Sequence, residues 1–135
     1  MRIFLILIGV IMGLIAEDFV VIANKNSPIT TIGKSELKSI YLKKRRFWNE
    51  TKLVALNLPP NNTLRQNFEK DILEMNPSQL ETYWMKQHYS GHRPPYRLKS
   101  MKSVLLFVKK VKGAIGYIPY SLVSKDVKII YRGTN

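Results

Sequence analysis

The chain has 135 residues, enough for one domain with a sizeable core. It contains no cysteine, which excludes disulfides, thiolate metal sites and attachment of a lipid to a lipoprotein cysteine. Its 22 Lys and Arg residues against 9 Asp and Glu residues give a formal net charge of +13, which favours anionic partners.

The N-terminal residues 1–16 carry a positive charge at Arg2, followed by an apolar run. This run is shorter than the roughly 20 apolar residues that a membrane span needs. We therefore predict a secretory signal peptide cleaved after Ala16, with an uncleaved N-terminal anchor as the alternative. The remaining residues, 17–135, would form one domain in the periplasm, where nucleic acid is not expected as a partner.

Strands and helices alternate along the rest of the chain. Hydrophobic periodicity and capping residues predict strands at 18–23, 52–57, 113–118 and 127–131, and helices at 35–42, 64–74, from Asn76 to Gly91, and from Ser100 or Ser103 to Val111. In the first helix, Leu37, Ile40 and Tyr41 are expected to face inward. This order predicts an α/β fold with a mixed sheet flanked by helices.

The pattern of apolar and polar residues in the stretch 52–73 predicts a buried strand, a polar loop and an amphipathic helix. Thr63 is the predicted N-cap of that helix, and Gln66 three residues later completes a capping box. A helix N-terminus exposes backbone N–H groups that favour anions, and Arg65 could add a forked donor. Asn62, Thr63 and Arg65 are therefore a candidate anion site, while the alternative is an ordinary capped helix that binds only water.

Four consecutive cations, Lys43, Lys44, Arg45 and Arg46, follow the first predicted helix. One interpretation is a docking patch for an acidic partner or an anionic surface. The alternative is a solvated helix end, where cations complement the helix dipole.

Signals of catalysis and of metal binding are lacking in the sequence. There is no Ser/His/Asp order, no G-x-S-x-G motif and no evident pair of carboxylates. His88 and His92 are separated by a predicted helix end, so they do not suggest a metal site. We expect no enzyme activity, no metal and no cofactor.

Several short motifs occur in a recognisable order. They are the L-x-x-I-Y-L-x-K segment before Trp48, the loop and helix start at 63–68, and Gly113-Ala114-Ile115-Gly116-Tyr117. In this order they resemble short exported relatives of the periplasmic phosphate-binding subunit of ABC importers. The resemblance implies a type II periplasmic-binding-protein fold reduced to about a single lobe.

This resemblance also implies a function. Phosphate or a related oxyanion would lie at Asn62, Thr63 and Arg65, with Asn26 and Ser27 contributing from the loop after the first strand. The partners would be the membrane subunits of an ABC importer, or a sensor. The Ser-Gly pair and the upstream Arg of the full-length phosphate binders are absent here. The alternative is therefore a non-catalytic interaction protein of a periplasmic or envelope assembly that kept the fold but lost the solute.

Overall fold

The computed structural model describes residues 18–133. The predicted signal peptide, residues 1–16, lies outside this range. The strands are β1 (Phe19–Asn24), β2 (Phe47–Trp48), β3 (Thr51–Lys52), β4 (Val54–Asn57), β5 (Tyr96–Arg97), β6 (Ala114–Pro119) and β7 (Val127–Arg132). The α-helices are α1 (Lys34–Tyr41), α2 (Thr63–Phe68), α3 (Pro77–Tyr89) and α4 (Met101–Lys110). A π-helical turn, Glu69–Leu73, continues α2, and a 3₁₀ turn, Tyr120–Leu122, follows β6.

Five strands form the central sheet, in the order β5-β4-β6-β1-β7. β4 runs parallel to both β5 and β6, whereas β1 runs antiparallel to both β6 and β7. β2 and β3 form a separate two-stranded hairpin. The α/β fold with a mixed sheet and flanking helices, predicted from the sequence, is confirmed.

The two central strands β1 and β6 are buried along their whole length, as expected for unbroken apolar runs covered on both faces. Gly116 in β6 lets α4 approach the sheet closely, because a Cβ atom there would lie 2.4 Å from Cγ1 of Val104. This contact fixes α4 against the centre of the sheet.

An aromatic cluster joins the helices to the sheet. The Phe68 ring stacks on Tyr117 with 4.0 Å between centroids, and its centroid lies 4.7 Å from that of Tyr41 and 5.4 Å from that of Phe19. The Tyr41 hydroxyl donates to the carbonyl of Leu56 at 2.8 Å. Burial raises the pKa of both Tyr41 and Tyr117, so both phenols remain neutral.

Three helix starts test the predicted caps. The Asn76 side chain accepts from the Gln79 backbone N–H at 2.8 Å, and the Gln79 side chain accepts from the Asn76 backbone N–H at 2.9 Å. These two bonds confirm the predicted cap at Asn76. Ser100, rather than Ser103, caps α4. The prediction that Thr63 caps α2 is wrong, because Asn62 has the extended backbone of a cap and its Oδ1 accepts from the Arg65 N–H at 3.1 Å.

Two predicted boundaries also differ. The strand predicted at 52–57 begins at Val54, because Thr51 and Lys52 pair with β2 in the hairpin. The helix predicted at 64–74 is α-helical only to Phe68 and then widens into the π-helical turn. Among residues 18–133, no helix is long and apolar enough to span a membrane.

Candidate functional site

A cavity of about 730 Å³ extends along β4. Its lining comes from the strands β3, β4 and β5, from the segments just after α1, just after β4 and just before β5, and from one side chain each of α2 and α3. We call it the basic cavity because five cations and no Asp or Glu line it; these cations are Lys43, Lys52, Arg65, Arg93 and Arg97.

Most of this positive charge is unneutralised. Arg65 forms an ion pair with Glu69, with 3.0 Å between Nε and Oε2. The other four cations of the basic cavity make no ion pair with any residue in the range 18–133. A concave surface that gathers like charges in this way attracts anions.

Asn57 is a buried polar residue at the end of β4, only 8% exposed, and it lines the basic cavity. Its Oδ1 accepts hydrogen bonds from the Leu58 N–H at 3.0 Å and from the Tyr117 hydroxyl. These two donors fix the amide orientation, and Nδ2 makes no hydrogen bond within residues 18–133. No fully buried side-chain nitrogen or oxygen in this range lacks a partner, so Nδ2 is accessible from the cavity. A donor without a partner at the mouth of a basic cavity is suited to an anionic ligand.

The sheet brings a cation to the same place. Arg97 in β5 pairs in register with Asn57 in β4, and both residues line the basic cavity. The two strands are parallel, so this is the carboxyl edge of the parallel part of the sheet, where ligands of open α/β sheets usually bind.

Lys43 lies at the other end of β4, in a left-handed backbone conformation with φ 62°. Partial burial lowers the pKa of its ammonium group, and the nearby charges of Lys52 and Arg46 lower this pKa further. A bound anion would offset this repulsion.

Of the three residues predicted to bind an anion at the helix start, only Arg65 lines the basic cavity. Asn62 is engaged as the cap, and Thr63 is exposed. Arg65 donates from Nε to Glu69 and from Nη1 to the Leu58 carbonyl at 2.8 Å. Its position is thus held by the protein, and its remaining N–H groups are available to a ligand.

Asn26 and Ser27 do not join this group. β1 runs antiparallel to β6, whereas β4 runs parallel to it, so β1 ends at the sheet edge where β4 begins. Ser27 is buried there, and its carbonyl accepts from the Lys128 ammonium at 2.7 Å. Asn26 and Ser27 therefore follow β1 at the sheet edge opposite to that of Asn57, and their part in anion binding stays a prediction.

The predicted docking patch of four cations is divided. Lys43 lines the basic cavity, whereas Lys44 and Arg46 are exposed. The Arg45 guanidinium lies 3.9 Å from the centroid of the Trp48 ring and 3.4 Å from the Glu36 carboxylate. Lys43, Arg45 and Arg46 nevertheless line one small depression together, and Lys44 does not take part in it. A role of these four cations in docking stays a prediction.

Sequence reasoning missed Asn57, Arg93 and Arg97. Two signals could have found them. Asn57 is a polar residue at the end of an otherwise apolar strand, and the two arginines flank the Pro94-Pro95 pair.

The sequence matches no protein-family model and no curated protein. Solved structures do match. A protein of Clostridium perfringens described as a phosphate ABC transporter substrate-binding protein, solved with bound phosphate, is 19% identical with a TM-score of 0.69. The match covers 84% of this chain and 44% of that one.

Two further matches agree. An ABC-type phosphate transport receptor of Vibrio cholerae is 17% identical, with a TM-score of 0.66 and coverage of 84% of this chain and 45% of that one. PstS of Borrelia burgdorferi is 15% identical, with a TM-score of 0.67 and coverage of 85% and 47%. The chain thus spans less than half the length of these proteins. The resemblance predicted from the sequence is confirmed at the level of the fold: the chain shares the fold of slightly less than half of each of these proteins.

Proposed function

We propose that the protein is a solute-binding lobe that holds phosphate or a related oxyanion in the basic cavity, where Asn57 and Arg97 lie side by side. The observation that carries this proposal is the Asn57 side chain, whose oxygen is held by two protein donors while Nδ2 makes no hydrogen bond with residues 18–133, on the lining of a cavity with five cations and no acid. The fold shared with a protein solved with bound phosphate supports the class of solute.

The chemistry of the proposed site follows from its donors. The Asn57 Nδ2 would donate one hydrogen bond, and the planar guanidinium of Arg97 could donate two parallel bonds to one oxyanion. Arg65 and Arg93 would add positive charge from the two sides of the cavity. These groups bind and orient an anion, and the proposed role is binding rather than catalysis.

Asn57→Asp tests this proposal directly. An aspartate oxygen could still accept from Leu58 and Tyr117, so the fold should be retained, while the second oxygen would replace Nδ2 and repel an anion. We expect phosphate and sulfate to bind at least tenfold more weakly, because a charge-assisted hydrogen bond is worth roughly 1.5–3 kcal/mol. Isothermal titration at low and physiological salt measures both affinities.

Lys44→Ala is the matched control, because Lys44 is exposed and does not line the basic cavity. It should leave the affinity at physiological salt unchanged. Saturable binding that Asn57→Asp does not weaken would contradict the placement of the site. If the wild-type protein binds neither anion below millimolar concentration, the solute-binding role fails and the alternative, an interaction protein of an envelope assembly, replaces it.

The cellular location and the partners of the protein are proposed from the sequence. The apolar run that follows Arg2 supports export to the periplasm, where a binding lobe could serve the membrane subunits of an ABC importer or a sensor. Intact-mass measurement of protein from native envelopes should show that residues 1–16 are removed or membrane-bound. A soluble cytoplasmic form that retains Met1 would rule out this setting.

A further inference from the structure

A second depression adjoins the basic cavity. This groove has a volume of about 380 Å³ and shares Trp84, Arg93 and Pro94 with the lining of the basic cavity. Its outer wall includes Met85 and Tyr89 of α3, which are 57% and 87% exposed. The two depressions are therefore contiguous, and Trp84 lies between them.

The combined space is much larger than an inorganic anion. Cavities of roughly 300–1,000 Å³ are typical of sites for organic molecules of drug size, and the basic cavity alone has about 730 Å³. An orthophosphate ion at Asn57 would contact only one end of it. The walls that such an ion leaves free carry aromatic rings and prolines, namely Trp84, Pro94, Pro95 and Tyr96.

The side chain of Trp84 is held in place. Its ring meets the Tyr83 ring edge to face at 4.9 Å, and the Tyr83 hydroxyl donates to the Leu42 carbonyl at 2.6 Å. Trp84 is half-buried and packs against the core. A fixed, partly exposed indole beside a cluster of cations is suited to a ligand that carries both an aromatic body and a negative charge.

We infer that the ligand of this site is a soluble organic phosphate, with its phosphate group at Asn57 and Arg97 and an aromatic or apolar body against Trp84. This inference rests on the proposed function, because it assumes that the basic cavity binds the phosphate group. It adds that the contiguous groove recognises the remainder of the molecule.

Phenyl phosphate and inorganic phosphate are a pair of probes that share the phosphate group, and only phenyl phosphate carries a ring. Both are titrated at a pH at which both are dianions, because the phenyl ester loses its second proton at a lower pH. We expect phenyl phosphate to bind the full-length protein at least about fivefold more tightly, since stacking of a ring on an aromatic side chain is worth roughly 1–3 kcal/mol and about 1.4 kcal/mol is tenfold. Isothermal titration at one fixed pH and salt concentration gives the ratio of the two affinities.

Variants of the two tryptophans locate the ring. Trp84→Leu should reduce the ratio to near one, and Trp84→Phe should keep most of it. Trp48→Ala is the control, because Trp48 lies outside both depressions and contacts Arg45. The sequence has only two tryptophans, so in the Trp48→Ala variant phenyl phosphate should change the fluorescence of Trp84 alone.

The outcomes separate the two proposals. Equal affinity for the two probes, or a ratio that Trp84→Leu leaves intact in a folded protein, overturns the inference while the oxyanion site stands. No saturable binding of either probe overturns the proposed function and the inference together. If Trp84→Leu does not fold, as judged by circular dichroism, the fluorescence response in Trp48→Ala decides, and its absence at saturation overturns the inference.

Discussion

At the scale of the residue, Asn57 connects the proposed ligand site to the core. Its oxygen is held by Leu58 and by Tyr117, whose ring stacks on Phe68, while its nitrogen borders the basic cavity. A donor positioned in this way is already oriented before a ligand arrives. Little side-chain entropy is then lost on binding, which favours affinity for a small anion.

If the basic cavity binds an anion as proposed, Lys43 on its lining should make that binding sensitive to alkaline pH. Its lowered pKa means that the folded protein loses this proton below the ordinary value of 10.5. As the pH rises into that window, sulfate should bind roughly two- to fivefold more weakly, the range for one partly solvated charge pair. Sulfate is the suitable probe because its own charge is constant there, and titration calorimetry measures the affinity.

The Lys43→Arg variant is the matched control, because an arginine keeps its charge throughout this range. Its affinity for sulfate should fall less between neutral and alkaline pH than that of the wild-type protein. Identical pH profiles of the two proteins would show that Lys43 does not contact the anion. The free energy of unfolding changes in the opposite direction to the affinity. At pH values just below 10.5 the unfolded chain binds more protons at Lys43 than the folded protein does, so the contribution of Lys43 to stability rises with pH.

At the scale of the element, the loop before α2 is set by Asn62. Asn62→Ala should lower the free energy of unfolding by about 1 kcal/mol, the usual value for a lost N-cap. Thr63→Ala should change it by less than about 0.5 kcal/mol, because the exposed Thr63 side chain makes no hydrogen bond with residues 18–133. Urea unfolding of both variants measures the difference, and a larger loss for Thr63→Ala would contradict the cap assignment.

Elements with a strong hydrophobic periodicity were predictable from the sequence, whereas the two-residue strands were not. The inward face of α1, Leu37, Ile40 and Tyr41, follows from helical spacing alone, and all three residues are buried. The strands β2, β3 and β5 have only two residues each, which is too short for a periodic pattern. Their formation depends on pairing with a neighbouring strand. The cap differs from its prediction by one residue because Asn62 and Thr63 are both good capping residues, and only backbone geometry chooses between them.

At the scale of the whole molecule, the sequence predicted the fold class but not the assembly of the site. Strand direction decided where the loops meet, and a single sequence does not show that β1 runs antiparallel to its neighbours. For this reason the sequence did not place Asn26 and Ser27 at the opposite edge of the sheet. The basic cavity was also missed as a unit, because its cations come from separate segments between Lys43 and Arg97 that converge only after the sheet has formed.

The place of β1 in the sheet also constrains the order in which the chain can acquire its structure. The first strand of the sheet pairs only with the two last strands, as when Ala23 meets Ile115 on one side and Lys128 on the other. Pairings across such long separations close slowly, because the loop between them must be ordered first. A ribosome must therefore complete nearly all of residues 18–133 before the sheet can close, and until then a chain exported as proposed would remain threadable through a secretion channel.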